Sequence, residues 1–192
     1  MISQLLNKLH GMPQGPVRLD EDTLADIKWW IKFLPRFNGE SIMWLHRELT
    51  PDETLSTDAS LSACGAVLGL TYIRLKFPRH LMYRNIYHKE MLAIVAALHT
   101  WGEAFKGRSL LLRCDNEACV NTINGGRAKD TFGQQCMREI LYCCALIDCS
   151  IRCVHIPGVD NRLPDCLSRW YGQDAEKYKE DFRRRTHKQG YK

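Results

Sequence analysis

Apolar positions along the chain follow two rhythms. Within residues 20–34, Leu24, Ile27, Trp30, Ile31 and Leu34 recur at three and four residues, the spacing of a helix that Pro35 and the Asn38-Gly39 pair would stop. From residue 54 the rhythm changes. Residues 54–60, 65–71 and 72–77 form three short runs of small or β-compatible side chains, close enough to be joined as hairpins, and predict an antiparallel meander. The stretch IYHKEMLAIVAALHTWGEAF, residues 86–105, places Met91, Ile94, Val95, Leu98, Trp101 and Phe105 at helical spacing and is the strongest helix signal in the chain. LLLRCD at 110–115 has the composition of a fully buried strand, and 117–123 reads as a short helix closed by Gly125-Gly126. A second long helix is expected at 130–147, a last strand at 150–156 (SIRCVHI), and a last helix at 161–170 with Asn161 as its cap and Pro164 in its first turn. Three strands in a meander, then two alternating with helices, predict an α/β fold with a mixed five-stranded sheet and helices on its faces.

Composition narrows this picture. A chain of 192 residues that is 45% apolar can bury one sizeable core and a small appendage, so residues 1–50 are read as the appendage and 51–170 as the main domain. No apolar run reaches the roughly 18 residues of a membrane span, and ISQLLNKLHG after Met1 lacks the plan of a signal peptide, so an intracellular protein of the cytoplasm or nucleus is expected. Nine cysteines form an odd set with Cys143 and Cys144 adjacent and no C-x-x-C pair, which favours reduced thiols packed as small hydrophobes. The net charge of +5 is uneven: residues 171–192 hold seven Lys or Arg against four Asp or Glu, a surplus of three. A helix there would put Tyr171, Ala175, Tyr178 and Phe182 on one face and present Arg183, Arg184 and Arg185 to nucleic acid or to a neighbouring module. Such a surplus is equally common on a solvated surface helix.

Four acids sit where acids are unusual. Asp58 falls inside the first strand, Glu90 near the start of the long apolar helix, Asp115 at the end of LLLRCD, and Asp165 in the last helix. Glu90 shares a face with Ile94 and Trp101, so its carboxylate lies along the buried stripe. The strand ending in Asp115 would most naturally pair beside the one carrying Asp58. Each acid alone has an ordinary reading, solvated or capping. Together they would repel: each pair of charges at ~4 Å costs on the order of 4 kcal/mol at an effective dielectric near 20. No lysine in these motifs is placed to neutralise them all, so a bound cation is implied. Carboxylate oxygens suit Mg²⁺ or Mn²⁺, and two such ions together can activate a water and stabilise a leaving oxygen in phosphodiester cleavage.

Four blocks, STDASLSACGAVL, YHKEMLAIVAAL, LLRCDNEACVNTIN and VHIPGVDNRLPDCLSRW, resemble in order and spacing the ribonuclease H domain of retrotransposon polyproteins. The resemblance is nearest to DIRS-like elements of the tyrosine-recombinase type, with gypsy-like elements next, and covers about 54–170. ADIKWWIKFLPRFNG upstream resembles the connecting segment that follows the reverse transcriptase in the same elements. The resemblance implies a ribonuclease H-like fold, an endonuclease acting on the RNA strand of an RNA–DNA hybrid with two Mg²⁺ ions, and a reverse transcriptase module as partner. It implies that Asp58, Glu90, Asp115 and Asp165 form the metal-binding catalytic quartet, and that His155 takes the place of the mobile family histidine assisting cleavage or product release. Asn161 then doubles as cap and active-site neighbour. Pro164 stands where gypsy-like sequences usually have Ala, and Ala63 where they often have Gly. Ser60, Asn116, Arg127 and Lys129 are further candidates for substrate contact, beside ordinary readings: turn or cap residues for Ser60 and Asn116, a solvated loop for Arg127 and Lys129. Trp29, Trp30 and Trp44 are expected to form a local core of the appendage. A non-catalytic hybrid-binding or scaffold module derived from such a domain is the alternative function.

Overall fold

The structure, a computed structural model, describes residues 18–37, 39 and 51–191. These belong to two units, divided near residue 39. Most of the segment expected at 1–50, including Trp44, lies outside the described residues.

In the first unit, helix α1 spans Glu21–Phe33, with the Asp20 carboxylate accepting from the Thr23 N–H at 2.7 Å. Pro35 is accommodated in a 3₁₀ turn, Leu34–Arg36, that continues the helix. The predicted apolar stripe is not the covered face: Leu24, Trp30, Ile31 and Leu34 are exposed, while Thr23, Asp26 and Phe33 are buried. Aromatic packing selects the face. Phe33 stacks on Trp29 with centroids 4.6 Å apart and on Phe37 at 5.2 Å, and Trp30 meets it only edge-on at 5.7 Å.

The second unit is built on one mixed sheet. Strands β1 (Glu53–Ala59), β2 (Ala63–Leu68), β3 (Thr71–Lys76), β4 (Ser109–Cys114) and β5 (Ser150–His155) lie in the order β3-β2-β1-β4-β5. β1 to β3 are the expected meander, and β4 and β5 run parallel to β1. The second strand ends earlier than expected because Gly69, at a φ of +54°, turns the chain before Thr71. β4 alternates in burial, with Leu110, Leu112 and Cys114 covered and Ser109, Leu111 and Arg113 only half-buried. The expected strand covered on both faces is therefore a strand with one dry face.

Four helices carry the rest of the body: α2 (Ile86–Trp101), α3 (Glu117–Gly125), α4 (Thr131–Leu146) and α5 (Arg162–Ser168). Met91, Ile94 and Leu98 of α2 meet Leu55, Leu110, Leu112 and Ile151 of the sheet, and Met137 and Ile140 of α4 close the same core. On the opposite face, Val67 packs against Cys166 and Leu167 of α5 and Phe182 of the tail helix α6 (Ala175–Thr186). The tail helix docks through Tyr178 and Phe182, while Tyr171 is exposed. All nine cysteines are free, and eight are buried.

Candidate active site

Strand register sets the centre of the site. Ser56 of β1 pairs with Arg113 of β4 in parallel, and two residues further along each strand come Asp58 and Asp115, so the two carboxylates leave the sheet at one level. Asp58 is buried and Asp115 half-buried just beyond the end of β4. Glu90 reaches the same edge from α2, buried to 2% exposure, where one carboxylate oxygen accepts from the Ala59 N–H at 2.9 Å. Glu90, Cys114 and Asp115 each offer a donor atom within 4.8 Å of the others.

Asp165 arrives from the opposite face, and a glycine lets it come close. Across the hairpin, Asp58 pairs with Gly65. A Cβ at Gly65 would lie 2.4 Å from the Leu167 Cβ, 2.7 Å from the Pro164 carbonyl and 2.9 Å from the Ser168 N–H nitrogen. α5 therefore rests directly on bare backbone beside Asp58. Asn161 fixes its start in a way the capping reading did not anticipate. Its side chain caps nothing; instead the Nδ2 donates to the Thr57 carbonyl at 2.7 Å, tying α5 to the residue before Asp58. Asn161 is thus an anchor, because a buried amide gains more from a free β1 carbonyl than from the solvent-side ends of its own helix. Ser60 adds a second tie, donating from its hydroxyl to the Ser168 carbonyl at 2.7 Å.

The electrostatics follow from this crowding. Burial, reinforced by the charges of Asp115 and Asp165, raises the Asp58 carboxyl from 3.8 to about 7, with the Ser168 hydroxyl and Arg169 acting in the opposite direction. Burial and then Asp58 and Cys114 push Glu90 well above its ordinary value, and burial and Asp165 raise Asp115. Among the described residues, the buried oxygens without a hydrogen-bond partner include Asp58 Oδ2 and Asn161 Oδ1. An unpartnered carboxylate oxygen inside a cluster of acids is an observation a hard divalent ion would answer. The donor set fits such an ion: Asp58, Glu90 and Asp115 with Asp165 would hold it through oxygen, and the Cys114 thiol stands beside them as a poor partner for Mg²⁺.

Two cations absent from the sequence reading also enter. Arg162 and Arg169 both grip Asp165, the first at 3.0 Å, and Arg162 also binds Asp181 of α6 at 2.9 Å. Their signal was in the spacing, three before and four after the acid. The buried Lys89 stays out of the cluster, its Nζ donating to the carbonyls of Leu61 and Met82 at 2.6 and 2.8 Å.

The remaining candidates lie around this centre. His155, exposed at the end of β5, places its Nε2 3.2 Å from the Asp115 carbonyl oxygen. The turn Gly158–Asp160 passes over Asp115 so closely that a Cβ at Gly158 would sit 3.3 Å from Asp115 Oδ2. Asn116 caps α3 by accepting from the Cys119 N–H at 3.2 Å. Arg127 and Lys129 are not at the acids; they line a groove of about 460 Å³ with Tyr87, Asn121 and Asp130.

Neither a protein-family model nor a curated protein matches this sequence. Solved structures do share its fold. The RNase H1 of the halophilic archaeon Halobacterium salinarum superposes with a TM-score of 0.52 at 18% identity, over 65% of this chain and 97% of that one. The N-terminal RNase H domain of a Mycobacterium tuberculosis protein, solved as a fusion with maltose-binding protein, gives 0.52 at 14% identity, over 69% and 99%. LC11-RNase H1 in complex with an RNA/DNA hybrid gives 0.50 at 17% identity, over 60% and 93%. The mixed sheet in the order β3-β2-β1-β4-β5, with helices on both faces, is the ribonuclease H fold.

Proposed function

We propose that the chain is a metal-dependent endonuclease that hydrolyses the RNA strand of RNA–DNA hybrids, working beside a reverse transcriptase in a retroelement, DIRS-like by its sequence blocks. One observation carries the reading: Asp58, Glu90, Asp115 and Asp165, drawn from four separate elements, meet at one edge of a ribonuclease H fold with Asp58 Oδ2 unpartnered. A structure of the same fold, LC11-RNase H1, holds an RNA/DNA hybrid, which is the substrate proposed here. Two Mg²⁺ ions, or Mn²⁺ in their place, would supply an activated water and charge stabilisation at the leaving oxygen, giving 5′-phosphate and 3′-hydroxyl ends. The chain's own residues do the positioning. The Ala59 N–H orients Glu90, the β1–β4 register sets Asp58 beside Asp115, and α5 delivers Asp165. His155 stands exposed at the rim, where an imidazole can exchange a proton with the departing strand. Ser60, Asn116 and Asn161 shape the walls, and Arg127 and Lys129 offer charge to a phosphate backbone further along the hybrid.

The ion pairs of Asp165 with Arg162 and Arg169 favour a second reading, a hybrid-binding module in which arginines rather than metal compensate the acids. A labelled hybrid separates the two. In Mg²⁺ the chain should cut its RNA strand and leave single-stranded RNA and duplex DNA intact. Asp115→Asn should abolish cutting, melt no lower than the parent in chelator, and lose most of the stabilisation Mg²⁺ gives the parent. Hybrid bound but uncut by the parent, with melting indifferent to Mg²⁺, would select the binding module.

A further inference from the structure

Among the described residues, a second group of metal-ligating side chains lies away from the acids. His99 in the last turn of α2 faces Glu139 and Cys143 of α4, and the donor atoms of the three lie within 4.8 Å of one another. Glu139 and Cys143 stand four apart on one helix and so project from one face. His99 Nε2 is 2.9 Å from Glu139 Oε1, and the Cys143 sulfur is 3.7 Å from His99 Nε2 and 3.9 Å from Glu139 Oε1. A tetrahedral ion with bonds of about 2.0–2.3 Å sets its ligand atoms roughly 3.4–3.6 Å apart. The two sulfur separations already approach that edge length, and the His99–Glu139 pair reaches it by opening its hydrogen bond about half an ångström.

We propose that His99, Glu139 and Cys143 form a site for a borderline divalent ion, Zn²⁺ being the best match, that staples the end of α2 to α4. Donor chemistry decides the class of ion. A thiolate and an imidazole beside one carboxylate suit zinc and disfavour Mg²⁺ and Ca²⁺, so this site and the acids draw on different metals. Access is open on one side: a groove of about 380 Å³, with Trp101, Glu103 and Tyr142 in its walls, adjoins all three donors. His99 and Glu139 are about half exposed in their side chains, so an ion can enter without unfolding, and a water or Glu103 can complete a fourth position.

Cobalt is the probe, because a Co²⁺–thiolate bond absorbs in the near ultraviolet. Added to the full chain under reducing conditions, Co²⁺ should develop that band at one equivalent and Zn²⁺ should bleach it. Cys143→Ser should remove the band, His99→Ala and Glu139→Gln should weaken binding at least tenfold, and Cys114→Ser, at the acid cluster, should leave the band intact. Circular dichroism of each variant checks that the helices persist; His99, Glu139 and Cys143 are at the surface or half-buried, and Cys114 is the buried control. Zn²⁺ should also raise the melting temperature of the parent and not of Cys143→Ser. No band in the parent, or a band that survives Cys143→Ser or vanishes in Cys114→Ser, would overturn the site. Cleavage of hybrid plays no part in these readouts, so the test stands apart from the proposed nuclease activity.

Discussion

Asp58 places a carboxylate where the fold resists its charge. A carboxyl raised from 3.8 to about 7 in the native state contributes its full stability below about pH 4, where it is protonated in both native and unfolded chains, and that contribution is lost as pH climbs through 7. Glu90, held well above its ordinary value, acts in the same direction. In chelator, the parent and Asp58→Asn should therefore have similar stability at pH 4 and diverge above it. By pH 8 the variant should be the more stable, by at most about 4 kcal/mol. Denaturant melts across that range measure the difference, and a gap independent of pH would mean that Asp58 ionises freely. The residue scale also shows what the sequence carried. Asp58 and Glu90 were conspicuous from their elements alone, as carboxylates inside a strand and an apolar helix, whereas Asp115 at a strand end and Asp165 in a first helical turn gained weight only beside them. The compensating arginines were legible only as spacing. Asn161 was misread, since Asn before a helix signals a cap and nothing local announces a bond to a carbonyl 104 residues earlier.

At the scale of elements, the hinge of the design is the seat of α5 on β2. An isolated glycine inside a strand pattern marks a close backbone approach, and Gly65 is such a mark, readable only once the partner element is known. Two of the three atoms that a Cβ at Gly65 would strike are backbone, so no side chain can swing aside to make room. Gly65→Ala should lower stability by about 2–3 kcal/mol and reduce cleavage more than tenfold, because α5 must lift and carry Asp165 with it. Equilibrium unfolding with a cleavage assay tests the coupling, and a variant with full activity would show that α5 has slack. Periodicity located α2, α4 and the meander within a few residues. It failed on the covered face of α1, where ring stacking of Phe33 with Trp29 outweighs the apolar stripe.

For the whole molecule, the tail joins charge to stability. Phe182 is 4% exposed among Val67, Cys166 and Leu167, and Asp181 receives Arg162, Arg184 and Arg185. Phe182→Ala should cost about 3 kcal/mol. Deleting 173–192 should lower the melting temperature for the same reason and weaken hybrid binding through the lost arginines, with cleavage still detectable. With a net charge of only +5, binding to hybrid should be weak and fall steeply with salt, which a titration at two ionic strengths measures. A slope near zero would mean that few phosphates are neutralised.

The central place of β1 has a consequence for synthesis on the ribosome. β1 can pair with β2 at once, yet its other edge waits for β4, whose first residue, Ser109, is made fifty positions after Ala59. At 5–20 residues per second, that edge stands open for roughly 3–10 s, a template for stray pairing by other emerging chains. Ribosome-bound chains halted just before Ser109 should be cut by protease in β1 and protected once β5 has emerged; protection at the earlier halt would mean that something else shields the edge. Since Asp165 is made later still, the four acids can come together only after β5 has been made.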